Sequence, residues 1–303
     1  MEPASSPPNS PRNLIILALR RSGTTALWRT LRQDPGQTCY DEPFSMLLRD
    51  LSANNHKHTW DEFLALRDRD PAAWAACFAP IPRPEEVTPG LTPDQAAYLR
   101  YLCADGPVAL DETRMTAKLP AIAQVQPDAV VLHLYRHPAA FVSSHMIASQ
   151  NKAPLRQKLH QIGFFLRPSY FDSWGMEQLY RDPILPKTKA LMQTAGVIAP
   201  RATAPAIHKL MAMWLASRRT LERDGSALYG ERFISLSFED FCARPQAHLD
   251  RIYALADRPP LTFDTSKLHS ADPGFRPGDP RWRRAAQAVG FSEAELALFF
   301  PQS

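Results

Sequence analysis

Apolar residues fall along this chain in short unbroken runs, separated by stretches with helical spacing. Leu14–Leu19 is one such run, ended by Arg20. A run this short, with no polar alternation, fits a strand buried on both faces, as in a parallel sheet. Pro107–Leu110, Ala129–Tyr135 and Phe233–Ser237 read the same way. Helical patterns lie between them. One covers Thr24–Gln33 and is closed by Asp34-Pro35-Gly36. Another runs from Pro138, well suited to a first helical position, to Ser149. Ile207, Leu210, Met211, Trp214 and Leu215 recur on one helical face. A further helix opens at Pro245, and Ser292 with Glu295 forms a capping box for a last one. Strands alternating with helices predict an α/β fold, with a mostly parallel sheet and helices on both faces. Two regions interrupt the alternation. Residues 45–105 are helical and punctuated by proline. Residues 150–204 are proline-rich and carry Phe164, Phe165, Tyr170, Phe171, Trp174 and Tyr180. No internal repeat is visible.

A length of 303 residues allows one large domain or two small ones. Apolar content of 45% and charged content of 22% argue against disorder, collagen and coiled coil. The 29 prolines point to long, stiff connections. Of 35 basic residues only 8 are Lys, leaving 27 Arg. Guanidinium suits phosphate recognition, although compositional bias explains most of this excess. A net charge of +4 with no long basic run disfavours a general nucleic-acid binder. The four cysteines form no C-x-x-C pair, so reduced structural thiols are expected. Residues 1–12 have neither the basic nor the apolar part of a secretory signal and are expected to be a disordered leader. No run approaches the ~20 apolar residues of a membrane span. A cytoplasmic protein is the resulting expectation.

Two segments carry candidate chemistry. The first is Arg20-Arg21-Ser22-Gly23-Thr24-Thr25, between a buried strand and a helix. Glycine lets backbone approach a ligand, the helix N-terminus offers free N–H groups, and the hydroxyls and Arg21 add donors and charge. A nucleoside triphosphate loop would place lysine where Thr24 stands. Val108–Asp111 imitates a magnesium-holding strand, so a kinase with a degenerate loop remains an alternative, as does a non-catalytic nucleotide-binding protein. The second segment starts at Arg136, at the C-terminal end of a strand where open α/β sheets bind ligands. Ser144 follows two helical turns into the next helix. His56 and His58 have no partner cluster, and His133 and His137 read as packing residues, so no metal site is expected.

Arg21-Ser-Gly-Thr-Thr25 resembles the 5′-phosphosulfate loop of sulfotransferases, and Arg136-x-Pro-x-x-x-x-x-Ser144 resembles their 3′-phosphate motif. Lys118-Leu119-Pro120, Glu231–Pro245 and Phe275–Arg283 resemble later segments of the family in the same order, over about residues 13–285. The resemblance implies a P-loop-NTPase-like fold over residues 13–303, with 45–105 and 150–204 as acceptor-binding inserts. It implies 3′-phosphoadenosine 5′-phosphosulfate (PAPS) as donor, adenosine 3′,5′-bisphosphate (PAP) as product, and no metal. Arg20, Arg21, Ser22, Gly23, Thr24 and Thr25 would bind the 5′ end, with Arg21 in place of the more usual lysine. Arg136 and Ser144 would bind the 3′-phosphate. Arg276, Arg281 and Arg283 would close over the nucleotide. Ala26 replaces a common aromatic residue, which leaves Trp282 as the candidate for adenine stacking. Cytosolic members take the acceptor proton with a histidine in a Thr-His-Leu-Pro segment, which reads Thr116-Ala117-Lys118-Leu119-Pro120 here and has no histidine. Carbohydrate-type members use a Glu-Pro pair, which Glu42-Pro43 matches. Glu42 is therefore the expected base, with Lys118 as a helper near the sulfonate. The expected partner is a small-molecule acceptor, lipophilic or aromatic; a homodimer is allowed.

Overall fold

A computed structural model describes residues 10–52, 58–146, 164–166, 175–270 and 279–301. Among them, five strands form one parallel sheet: β1 (Leu14–Leu17), β2 (Thr38–Asp41), β3 (Val108–Glu112), β4 (Val130–Tyr135) and β5 (Phe233–Ser237). Their order is β2-β3-β1-β4-β5, which puts the first apolar run at the centre. All four residues of β1 are at most 1% exposed, as an unbroken apolar run requires. Leu14 and Ile16 pack on one face with Leu27 and Trp28 of α1 (Thr24–Leu31). Ile15 and Leu17 pack on the other face.

Between β2 and β3 lie α2 (Asp61–Arg69), α3 (Pro71–Cys77) and α4 (Pro93–Leu102). After β3 come α5 (Leu119–Val125), α6 (Pro138–Met146) and α7 (Leu185–Thr194), with β4 between α5 and α6. The long α8 (Ala206–Tyr229) leads into β5, then α9 (Phe238–Ala243), α10 (Pro245–Leu255), α11 (Pro280–Ala288) and α12 (Glu293–Phe299). Leu99 of α4, Ile122 of α5 and Leu221 of α8 cover the Ile15 face, while Leu249 and Tyr253 of α10 cover the Leu14 face. A third apolar cluster joins α6, α8, α11 and α12 through Phe141, Leu210, Trp214, Ala285 and Leu296. The α/β fold with helices on both sheet faces is as expected, and so is the capping box of Ser292 and Glu295. No helix among the described residues is long and apolar enough to cross a membrane.

Three local differences bear on the site. β2 is an edge strand of four residues with polar ends, too short and mixed to show as an apolar run. β3 continues past Leu110 through Asp111 and Glu112, which are buried despite their charge. Glu239, in the first turn of α9, accepts the His137 backbone N–H at 3.1 Å, and Ser237 provides the cap of that helix. Leu132, in β4, is fully buried. Leu132→Ala should lower the unfolding free energy by about 2–5 kcal/mol, measured by denaturant titration.

Candidate active site

The loop from Ala18 to Gly23 leaves the central strand and turns into α1. Gly23 has φ of 96°, and a Cβ there would lie 2.3 Å from the Phe238 ring. Both the backbone conformation and the space therefore demand glycine. No side chain caps α1, so its first N–H groups face the loop. Ser22 and Thr24 are buried and Thr25 is exposed. Arg21 holds a φ of 73°, a region rarely adopted by a side-chain-bearing residue and one that clusters at functional sites.

Arg136 leaves the C-terminal end of β4, the strand beside β1. Its carbonyl accepts the Trp214 indole N–H at 2.8 Å. Its Nε lies 3.8 Å from Glu239, whose carboxylate also holds the next residue's N–H. Burial, and then the Arg136 charge, lower the Arg21 pKa. The two expected phosphate segments thus leave the ends of neighbouring strands. Ser144, partly exposed on α6, donates to the Phe141 carbonyl at 2.7 Å.

On the other side of β1, the ends of β2 and β3 carry carboxylates. Glu42 has φ of 51° and its N–H donates to the Asp111 carbonyl at 2.7 Å. Its side chain is 32% exposed. Glu42 Oε1 accepts from the Thr113 hydroxyl at 2.8 Å, and Oε2 accepts from Arg114 at 3.0 Å. Burial opposes its ionisation, but the Arg114 and Arg20 charges and the Thr113 bond outweigh it and hold the pKa below the usual range. Glu42 is therefore ionised at neutral pH and can accept a proton. Arg114 is itself buried and also bonds Glu112 at 3.3 Å. Glu112 in turn accepts the Phe44 N–H at 2.9 Å, which anchors the chain just after Glu42.

Beneath these groups Asp111 is fully buried, opposite Asp41 in the strand register. Burial, then Asp41 and Glu42, push the Asp111 pKa well above the carboxylate range. Burial, then Glu42, raise that of Asp41 to about 6. The proton held on buried Asp111 limits the negative charge of the β2–β3 edge beside the loop that follows β1.

Other expected residues lie elsewhere. Arg20 is buried and bidentate with Glu86, at 3.0 and 2.8 Å, so its guanidinium is engaged by the 45–105 segment. Lys118 is only 1% exposed and donates to the Thr88 and Gly90 carbonyls, at 3.0 and 2.7 Å. Burial brings its pKa down to about 8. It thus secures the loop before α4, which corrects its expected position near a sulfonate. Trp282 is also corrected: its side chain is fully buried in the α8–α11–α12 core, so its ring offers no open face for adenine. Arg281 pairs with Asp279 at 2.6 Å and lies over the Phe165 ring. Arg283 holds Glu293 and the Phe300 carbonyl, each at 2.9 Å. Arg276, Tyr170, Phe171 and Trp174 lie outside the described residues. Thr113, Arg114 and Glu239 were not anticipated. The signal was their place just after the C-terminal ends of β3 and β5, where open sheets gather ligand-binding residues.

The sulfotransferase family model matches residues 12–171, more than half of the chain. The chain belongs to the sulfotransferase family. Among curated proteins none matches it. Among solved structures, this sulfotransferase is similar to the sulfotransferase domain of the Synechococcus PCC 7002 olefin synthase, at 17% identity over 94% of this chain and 86% of that one, with a TM-score of 0.45. It is similar to the sulfotransferase domain of the curacin biosynthetic pathway, at 13% identity over 92% and 83%, with a TM-score of 0.45. It is also similar to a sulfotransferase from Alicyclobacillus acidocaldarius, at 16% identity over 97% and 98%, with a TM-score of 0.42.

The raised pKa of Asp41 has a sign that can be tested. A carboxyl whose folded value exceeds its unfolded value, about 3.9, stabilises most fully at pH values below both. That contribution is lost as pH rises through about 6. Asp41→Asn stays neutral throughout. Its melting temperature relative to the parent should rise between pH 5 and pH 7.5, by scanning calorimetry; a difference constant with pH would mean Asp41 ionises normally.

Proposed function

We propose that this sulfotransferase moves a sulfonate from PAPS to the hydroxyl of a small, lipophilic or aromatic acceptor, by in-line displacement with Glu42 as base. The observation that carries the reading is the placement of Arg21 and Arg136 just after the C-terminal ends of the adjacent strands β1 and β4. Two arginines at neighbouring strand ends suit an anion with phosphates at both ends. The residues fit such a donor: the uncapped start of α1 and Arg21 for the 5′-phosphosulfate, Arg136 and Ser144 for the 3′-phosphate. Arg276, Arg281 and Arg283 remain candidates for closing over it, and residues 45–105 and 150–204 for holding the acceptor. A cytoplasmic location belongs to the same proposal.

In the reaction, Glu42 takes the proton of the acceptor hydroxyl. The acceptor oxygen forms its bond to sulfur as the bond from sulfur to the 5′-phosphate oxygen breaks. Arg21 neutralises the charge growing on that departing phosphate, and aimed electrostatics of this kind is often the largest catalytic contribution. Arg114 and Thr113 hold Glu42 ionised and oriented. The proton then passes from Glu42 to solvent, and PAP leaves.

Glu42→Gln should reduce turnover about 10²–10⁴-fold, the usual worth of a general base, while calorimetric PAP binding stays within a few-fold of the parent. Full activity in the variant would remove Glu42 from the mechanism. Arg136→Ala should weaken PAP binding by about 10–100-fold, as the loss of a charged hydrogen bond implies, and 5′-AMP binding little. Equal losses for both ligands would show that Arg136 does not read the 3′-phosphate.

A further inference from the structure

Glu86 has no part in the proposed transfer, yet it lies between both halves of the site. It is 7% exposed and belongs to the segment between α3 and α4. Its Oε1 accepts from Arg20 at 2.8 Å and lies 3.7 Å from Arg114 Nε. Its Oε2 accepts from Arg20 at 3.0 Å and from Arg83 at 2.8 Å. Arg20 directly precedes Arg21 in the phosphate loop. Arg114 holds Glu42 at 3.0 Å. The path from donor loop to candidate base therefore runs Arg20–Glu86–Arg114–Glu42, with the first three side chains buried. The segment around Glu86 is pinned a second time, by Lys118 on the Thr88 and Gly90 carbonyls.

We propose that Glu86 is a positioning residue that couples the donor loop to Glu42, by dividing one carboxylate between Arg20 and Arg114. This rests on the reading of Glu42 as the base. Glu86 competes with Glu42 for Arg114, so it sets how strongly Arg114 holds the base. Arg83, 25% exposed, offsets part of the Glu86 charge from the outer side. Other charges also face Glu42: Asp41 beside it on β2, Asp111 and Glu112 on β3, and Arg20 on the phosphate loop. The two ends of the path are thus linked electrostatically, and a shift of Arg20 when a donor enters the loop is passed to Arg114.

The test follows the Glu42 carboxyl by ¹³C NMR in glutamate-labelled protein, its signal identified by loss in Glu42→Gln. Glu86→Gln removes a negative charge, so the Glu42 titration midpoint should move down. Arg83→Gln removes a positive charge, so the midpoint should move up. Each movement should be roughly half a pH unit or more, from one charge a few ångströms beyond Arg114. Glu86→Gln should also weaken PAP binding several-fold by calorimetry, through Arg20. Movement of both midpoints in one direction, or an unmoved midpoint in Arg83→Gln, would overturn the proposal. Should Glu86→Gln fail to fold, Arg83→Gln decides alone: upward supports, unmoved or downward overturns. These readouts need no turnover. A failed base reading, seen as an active Glu42→Gln, is therefore distinct from a failed coupling.

Discussion

A cation buried beside a sheet must bring its anions with it. Stripping a guanidinium of water costs several kcal/mol, and only well-placed partners return that energy. Arg114 is such a cation. Around it converge Glu42 from the end of β2, Glu112 from β3 and Glu86 from the segment before α4. Those partners raise its pKa against the effect of burial, so it stays charged. Once Arg114 is fixed, three separate stretches of chain have fixed positions relative to one another. Glu112 extends the arrangement to the Phe44 backbone, and Glu86 extends it to Arg20.

The C-terminal edge of the sheet is consequently divided by charge. β2 and β3 end in carboxylates; β1 and β4 lead into arginines. The central strand is the boundary. Chain order explains the division: β2 and β3 lie on one side of β1, and the chain then crosses to β4 and β5 on the other. Such a reversal opens a crevice at the strand ends. Arg136 stands on one side of it, and Glu42 on the other. The raised pKa of buried Asp111 moderates the negative side.

What was legible in the sequence depended on how local each feature is. Leu14–Leu17 could be read as a central strand because burial on both faces leaves no polar position. Gly23, Thr24 and Arg136 were picked out by residue type, and the structure places them just after the ends of β1 and β4. Glu42 was legible through its proline neighbour and a family pattern. Arg114 was not, since nothing near it in sequence reveals partners as far away as Glu42 and Glu86. Asp111 and Glu112 read as the end of an apolar run, whereas the sheet continues through them because partners and protons remove the penalty of burial. Lys118 and Trp282 were misplaced for a related reason. A motif specifies residue type, but the direction of a long side chain depends on tertiary neighbours, here two carbonyls for Lys118 and the α8–α11–α12 core for Trp282.

The contact of Gly23 with the Phe238 ring constrains how the chain can change over generations. Any larger residue at Gly23 strains a backbone held at φ of 96° and, unless Phe238 has already become smaller, also meets that ring. A smaller residue at Phe238, arriving first, leaves a void against Leu27, Trp28 and Leu236 in the same core. Neither order offers an intermediate without loss. Gly23 and the residue after β5 are therefore constrained together, although more than two hundred positions separate them in the chain.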